Sequence, residues 1–128
     1  MVVSRPRPTK AELDILRVLW SRGPLSVRDV QQILSESKES GYTTVLKTMQ
    51  IMTDKGLVDR DDTVRPQIYR ARHSEDRTQK ELLKDLLQRA YGGSVKALVL
   101  HAIGTKNPSA KNLADIEKLL DRVEGGEK

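Results

Sequence analysis

The chain has 128 residues, 37% hydrophobic and 32% charged, with 23 basic against 18 acidic side chains and a net charge of +5. That length holds one domain or two small ones around a core that must be aliphatic, since there is no Phe, one Trp and three Tyr. The absence of Cys excludes disulfides, thiol nucleophiles and cysteine metal sites. His73 and His101 stand 28 positions apart and share no ligand spacing, so no metal or cofactor is expected. No segment approaches the roughly 20 apolar residues of a membrane span. The first residues, MVVSRPRPTKAEL, lack the apolar stretch of a signal peptide. A cytoplasmic protein without membrane insertion is the simplest reading.

Residues 1–8, with two Arg and two Pro, read as an irregular arm, and a disordered tail suits Arg5 and Arg7 better than a nucleic-acid contact. Thr9 with Glu12 forms a capping-box signature. The helix it opens, KAELDILRVLWSR, places Leu13, Leu16 and Trp20 on one face with Ile15 and Leu19 beside them. Gly23-Pro24 ends it. Leu25–Val27 is short and β-like, and Ser26 caps a second helix, VRDVQQILSES, with Val30, Ile33 and Leu34 inward. A third helix runs from Tyr42 to Lys55, with Val45, Met49 and Met52 at core spacing and Gly56 as its stop. LVDR and QIYRAR then read as the strands of a hairpin around DDTVRP.

Composition shifts at Ser74. Residues 1–73 hold 13 basic and 9 acidic side chains; residues 74–128 hold 10 and 9. The second part reads as three helices separated by Gly92-Gly93 and by GTKNP. Each has a broad apolar stripe: Leu82, Leu83, Leu86 and Leu87; then Leu98, Val99 and Ile103; then Leu113, Ile116, Leu119, Leu120 and Val123. Three short helices are poorly suited to hide stripes this wide among themselves, so a partner surface is expected, the alternative being that the stripes pack on the first domain. The fold class is therefore mainly α, with a winged helix-turn-helix domain (1–73) followed by a three-helix dimerisation domain (74–128).

In a winged helix the third helix enters the major groove and the hairpin lies along the phosphates. Thr43, Thr44 and Lys47 fall on the outer face of that helix. Hydroxyls bond phosphates or base edges, and Lys47 can reach guanine O6 or N7. Tyr42, Arg28 and Arg65 are the candidate backbone contacts. Asp59, Asp61 and Asp62 in or beside the hairpin oppose phosphate, which leaves Arg65 at the turn as its best contact. The rival class is a protein-interaction adaptor built on a winged helix, which salt-dependent binding to duplex DNA separates from a DNA reader. An enzyme is disfavoured by the absence of Cys, the separated His pair and the lack of a glycine-rich phosphate loop.

The ordered pieces ILRVLW, YTTV, KGLV and GGSVKALVL resemble the penicillinase-repressor family of bacterial transcriptional regulators (the BlaI/MecI/CopY type) over residues 8–124. The resemblance implies a homodimeric repressor on palindromic double-stranded operator DNA, controlling a β-lactam-resistance-type or other stress-response operon. It implies interlocked C-terminal helices drawing on Leu82, Leu86, Leu98, Val99, Ile103, Leu113, Ile116 and Leu120. In one branch a membrane metalloprotease receptor cleaves the repressor. The matching bond lies at His101-Ala102, where relatives carry Asn-Phe. The cysteine pairs of the copper branch are absent. Some relatives carry arginines at the positions of Leu46 and Ile51.

Overall fold

The computed structural model describes residues 7–106 and 109–126. Arg5, and the Asn107-Pro108 end of the second separator, lie outside the described residues. The chain divides into two compact units, one ending at Gln79 and one beginning at Lys80.

The first unit opens with α1 (Lys10–Arg22). Thr9 caps it: its Oγ1 accepts from Glu12 N, and Glu12 Oε1 accepts from Thr9 N at 2.9 Å, which completes the capping box. Ile15, Leu16 and Leu19 are buried, while Leu13 and Trp20 pack at the margin of the core. Trp20 Nε1 donates to the His73 carbonyl at 2.9 Å, fixing the exit from the hairpin against the first helix.

The expected strand at Leu25–Val27 is smaller than the composition suggests. Leu25 makes only an isolated antiparallel bridge with Tyr69, through N–H···O bonds of 3.0 and 2.8 Å. Ser26 is already the N-cap of α2 (Val27–Leu34), and Val27 is its first residue. That helix also stops earlier than expected. From Ser35 onward Glu36 and Ser37 bond three residues back rather than four, the tightening of a helix end.

Tyr42–Lys55 forms α3, the expected span, with Val45, Met49 and Met52 buried. Gly56 ends it at φ 80°, and the amides of Gly56 and Leu57 bond back to the last turn. A Cβ at Gly56 would be strained at that φ and would lie 2.9 Å from Arg72 Nη1. β1 (Val58–Asp61) and β2 (Ile68–Ala71) pair antiparallel, from Val58 opposite Ala71 to Asp61 opposite Ile68. Val58 and Tyr69 point into the core.

One contact joins distant parts of this unit. Glu12 is only 3% exposed, and its capping oxygen also accepts from Lys55 Nζ at 2.7 Å. The start of α1 is thereby clamped to the end of α3. Among the described residues, removing the cation leaves the buried carboxylate with only the Thr9 amide. Lys55→Met should cost about 2–3 kcal/mol, below the usual 3–5 for a broken buried pair because Lys55 is partly solvated. The further change Glu12→Gln in that background should recover part of the loss. Urea unfolding of the single and double variants measures both; equal stability of Lys55→Met and wild type would show the clamp to be energetically idle.

α4 (Glu75–Tyr91) begins just after the Ser74 composition change and continues into the second unit. It is followed by α5 (Val95–Gly104) and α6 (Ala110–Gly126). Ser94 caps α5 by accepting from Ala97 N. α5 packs on α6, and Lys96 Nζ reaches Asp121 Oδ1 at 2.7 Å between them.

Candidate nucleic-acid interface

α3 buries one face and presents the other to solvent. Thr43, Thr44, Lys47, Gln50, Ile51 and Asp54 are all exposed, and Tyr42 at its start is 46% exposed. The N-cap is Gly41, which offers no side-chain acceptor, so the first-turn amides have no side-chain cap. Thr43 and Thr44 do not cap the helix either. The one hydroxyl bond nearby runs from Thr48 Oγ1 to the Thr44 carbonyl at 2.8 Å. Among the described residues the Lys47, Gln50 and Asp54 side chains make no hydrogen bond or ion pair. Arg28 is exposed in the first turn of α2, also without such a partner. The face thus carries donors held by a packed helix and not consumed within the chain.

The hairpin spends much of its charge on itself. Arg60 Nε donates to Asp62 Oδ1 at 2.6 Å, and Arg72 donates through Nε and Nη2 to Asp59 Oδ1 at 2.9 and 2.7 Å. The Asp62 carboxylate, with a smaller contribution from the Tyr69 hydroxyl, raises the Arg60 guanidinium above its ordinary pKa. Hydrogen bonds from the Thr63 side chain and amide hold the Asp61 carboxyl below the usual carboxylate range. Arg70 faces Asp59 in the ladder and also favours the Asp61 anion. Among the described residues Arg65 has no carboxylate partner; its Nη1 donates to the carbonyls of Asp62 at 2.8 Å and Val64 at 3.1 Å. Its charge stays unneutralised, but the side chain also braces the turn.

The apolar stripes of the second unit lie on solvated surfaces. No residue of α4 or α5 is buried, nor is any residue of α6 among those whose burial is described. Leu82, Leu98, Val99, Ile103, Leu113, Ile116 and Leu120 are half-buried, and Leu86 is exposed. Leu83, Leu119 and Val123 are exposed as well, Leu119 by 55%. His101 and Ala102 sit exposed inside α5, with His101 Nδ1 3.3 Å from the Tyr91 hydroxyl.

Comparison with known proteins decides the family. The penicillinase repressor family matches residues 8–122, nearly the whole chain. The chain belongs to the penicillinase repressor family. It is similar to the transcriptional regulator BlaI of Mycobacterium tuberculosis, 32% identical over 119 residues that cover 90% of this chain and 83% of that protein. It is also similar to the penicillinase repressor of Staphylococcus aureus, 21% identical over 88% of this chain and 90% of the relative. The penicillinase repressor of Bacillus licheniformis is 20% identical over 91% of each.

Within this penicillinase repressor family member, α3 brings Thr43, Thr44 and Lys47 onto one face, with Tyr42 at its N-terminal end. Reasoning from hydroxyls and charge passed over Gln50, whose amide has the donor and acceptor geometry to pair with adenine N6 and N7. The available signal was spacing: Gln50 lies three residues after Lys47 and seven after Thr43. Among the described residues no group of three or more His, Cys, Asp or Glu is placed to hold a metal ion. None of the described helices is long and apolar enough to cross a membrane.

Proposed function

We propose that the protein is a homodimeric transcriptional repressor that sets α3 in the major groove of each half of a palindromic operator. The observation that carries this reading is the solvated face of α3, where Lys47 and Gln50 project without partners among the described residues beside a helix start that has no side-chain cap. Amides at that start, with the positive end of the helix dipole, suit a phosphate. Tyr42 stands at that start, Arg28 is exposed in the first turn of α2, and Arg65 supplies a hairpin cation without an ion pair among the described residues. Lys47, Thr43 and Thr44 read base edges or the nearest phosphates.

Selection of duplexes from a random library by the intact protein supplies the probe. Lys47→Ala should weaken binding to the selected duplex by about 1–3 kcal/mol and relax preference at one base pair. Arg65→Ala should weaken all duplexes alike and lower the salt slope by about one. Unchanged affinities of Lys47→Ala for selected and random DNA would remove that residue from the interface. Absence of any salt-dependent duplex binding would favour the adaptor reading instead.

Release by a receptor protease would require α5 to open locally, because His101-Ala102 lies within that helix. A cut there would detach α6 from the rest of the chain and so remove part of the dimer contacts.

A further inference from the structure

Ile51 stands out on a face otherwise made of polar side chains. It is 45% exposed, whereas Val45, Met49 and Met52 of the same helix are buried and Leu46 packs against the core. Its position is set by its neighbours: Thr44, Lys47 and Ile51 follow at i, i+3 and i+7, so they line up along one side of α3. A single exposed isoleucine is unremarkable on an ordinary surface. Here it lies in the row of side chains that, on the function proposed above, faces base edges.

The chemistry of that groove narrows what Ile51 can meet. Each base pair presents hydrogen-bond donors and acceptors in the major groove, and thymine adds the only apolar mark, its 5-methyl group. An isoleucine pressed against a guanine or cytosine edge would strip water from groups that it cannot bond. Against a thymine methyl it removes apolar surface from water on both sides.

The geometry points to Ile51 as a specificity-determining residue that reads a thymine 5-methyl group close to the base pair contacted by Lys47. Four residues of helix advance about 6 Å. Base pairs are spaced about 3.4 Å apart, so the thymine lies within about two steps of the Lys47 contact. The inference rests on α3 entering the major groove, and the test separates its failure from the failure of that reading.

The probe is a duplex selected from a random library by the intact protein, resynthesised with each thymidine replaced in turn by deoxyuridine. Deoxyuridine keeps the pairing and polar edge of thymidine and lacks only the methyl. Wild-type protein should lose about fourfold in affinity at one position per half-site, the effect of one buried methyl group, and about fifteenfold when both half-sites are changed. Ile51→Ala should bind the thymidine and deoxyuridine duplexes equally at that position and keep wild-type responses elsewhere. Ile51→Val, which retains a branched aliphatic group, should keep part of the discrimination. Sequence-selective binding that tolerates deoxyuridine everywhere would overturn the assignment of Ile51 alone. So would a penalty that persists undiminished in Ile51→Ala. Absence of sequence-selective binding would overturn the DNA-reading function, and this inference with it.

Discussion

A variant carrying Leu86→Lys and Leu119→Lys should lose most of its hold on a palindromic duplex while retaining its affinity for a single half-site. Both leucines are exposed in the isolated chain, on α4 and α6. If the second unit pairs with a second copy, an ammonium placed there would have to be buried in an apolar contact without a partner charge. The pair would dissociate. A linked second half-site binds at high effective concentration, and losing the link removes about 10²–10⁴ in affinity with no change in the groove contacts. Light scattering should give twice the 14.4 kDa chain mass for the wild type at micromolar concentration and the chain mass itself for the variant. Fluorescence anisotropy on full and half operators supplies the affinities. A wild-type monomer, or a variant that still dimerises and binds the palindrome normally, would be fatal to the idea.

Tyr69→Ala should be the most damaging single change in the first unit. Tyr69 is 1% exposed and is the largest of the fully buried side chains. Its backbone holds the Leu25 bridge while its ring fills the space where the hairpin meets the helices. Truncating a buried aromatic costs about 3–5 kcal/mol. In a unit of this size that lowers the midpoint of thermal unfolding by roughly 15–30 °C. Tyr69→Phe keeps the ring and removes only the hydroxyl, so it should cost a small fraction of the Tyr69→Ala loss. Circular dichroism melts of the two variants test this. Similar losses in both would mean that the hydroxyl, not the ring, holds the hairpin in place.

The helices of the first unit were legible where local chemistry decides their ends. Thr9 with Glu12 and the Gly23-Pro24 stop delimit α1, and Gly56 delimits α3, because caps act over three or four residues. The Leu25–Val27 strand was overestimated because a β-like triplet contains a helix cap, and Ser26 commits Val27 to α2. Contacts across the chain left less trace. Glu12 and Lys55 are 43 positions apart, and nothing in either neighbourhood marks them as a pair. The arginines of the hairpin looked equivalent by composition. Geometry distinguishes Arg60 and Arg72, tied to carboxylates, from Arg65, tied to carbonyls. On α3 the hydroxyls and Lys47 stand out by type; helical spacing puts Gln50 in their row, but exposure residue by residue is what shows Gln50 and Ile51 open to solvent. The stripes of the second unit were legible from periodicity, and within the chain they remain half-buried or exposed.

The Glu12–Lys55 clamp grips α3 at its last turn, while the side chains expected to meet DNA begin at its first. Fourteen helical residues span about 21 Å, which makes the helix a lever with its fulcrum at the far end. A tilt of about 5° at Lys55 would carry Tyr42 and Thr43 through about 2 Å, more than the tolerance of a hydrogen bond. Loosening the clamp should therefore blur which bases are distinguished before it unfolds the domain. A substitution at Lys55 would then produce a repressor that still binds DNA, with poorer discrimination between operator and bulk sequence.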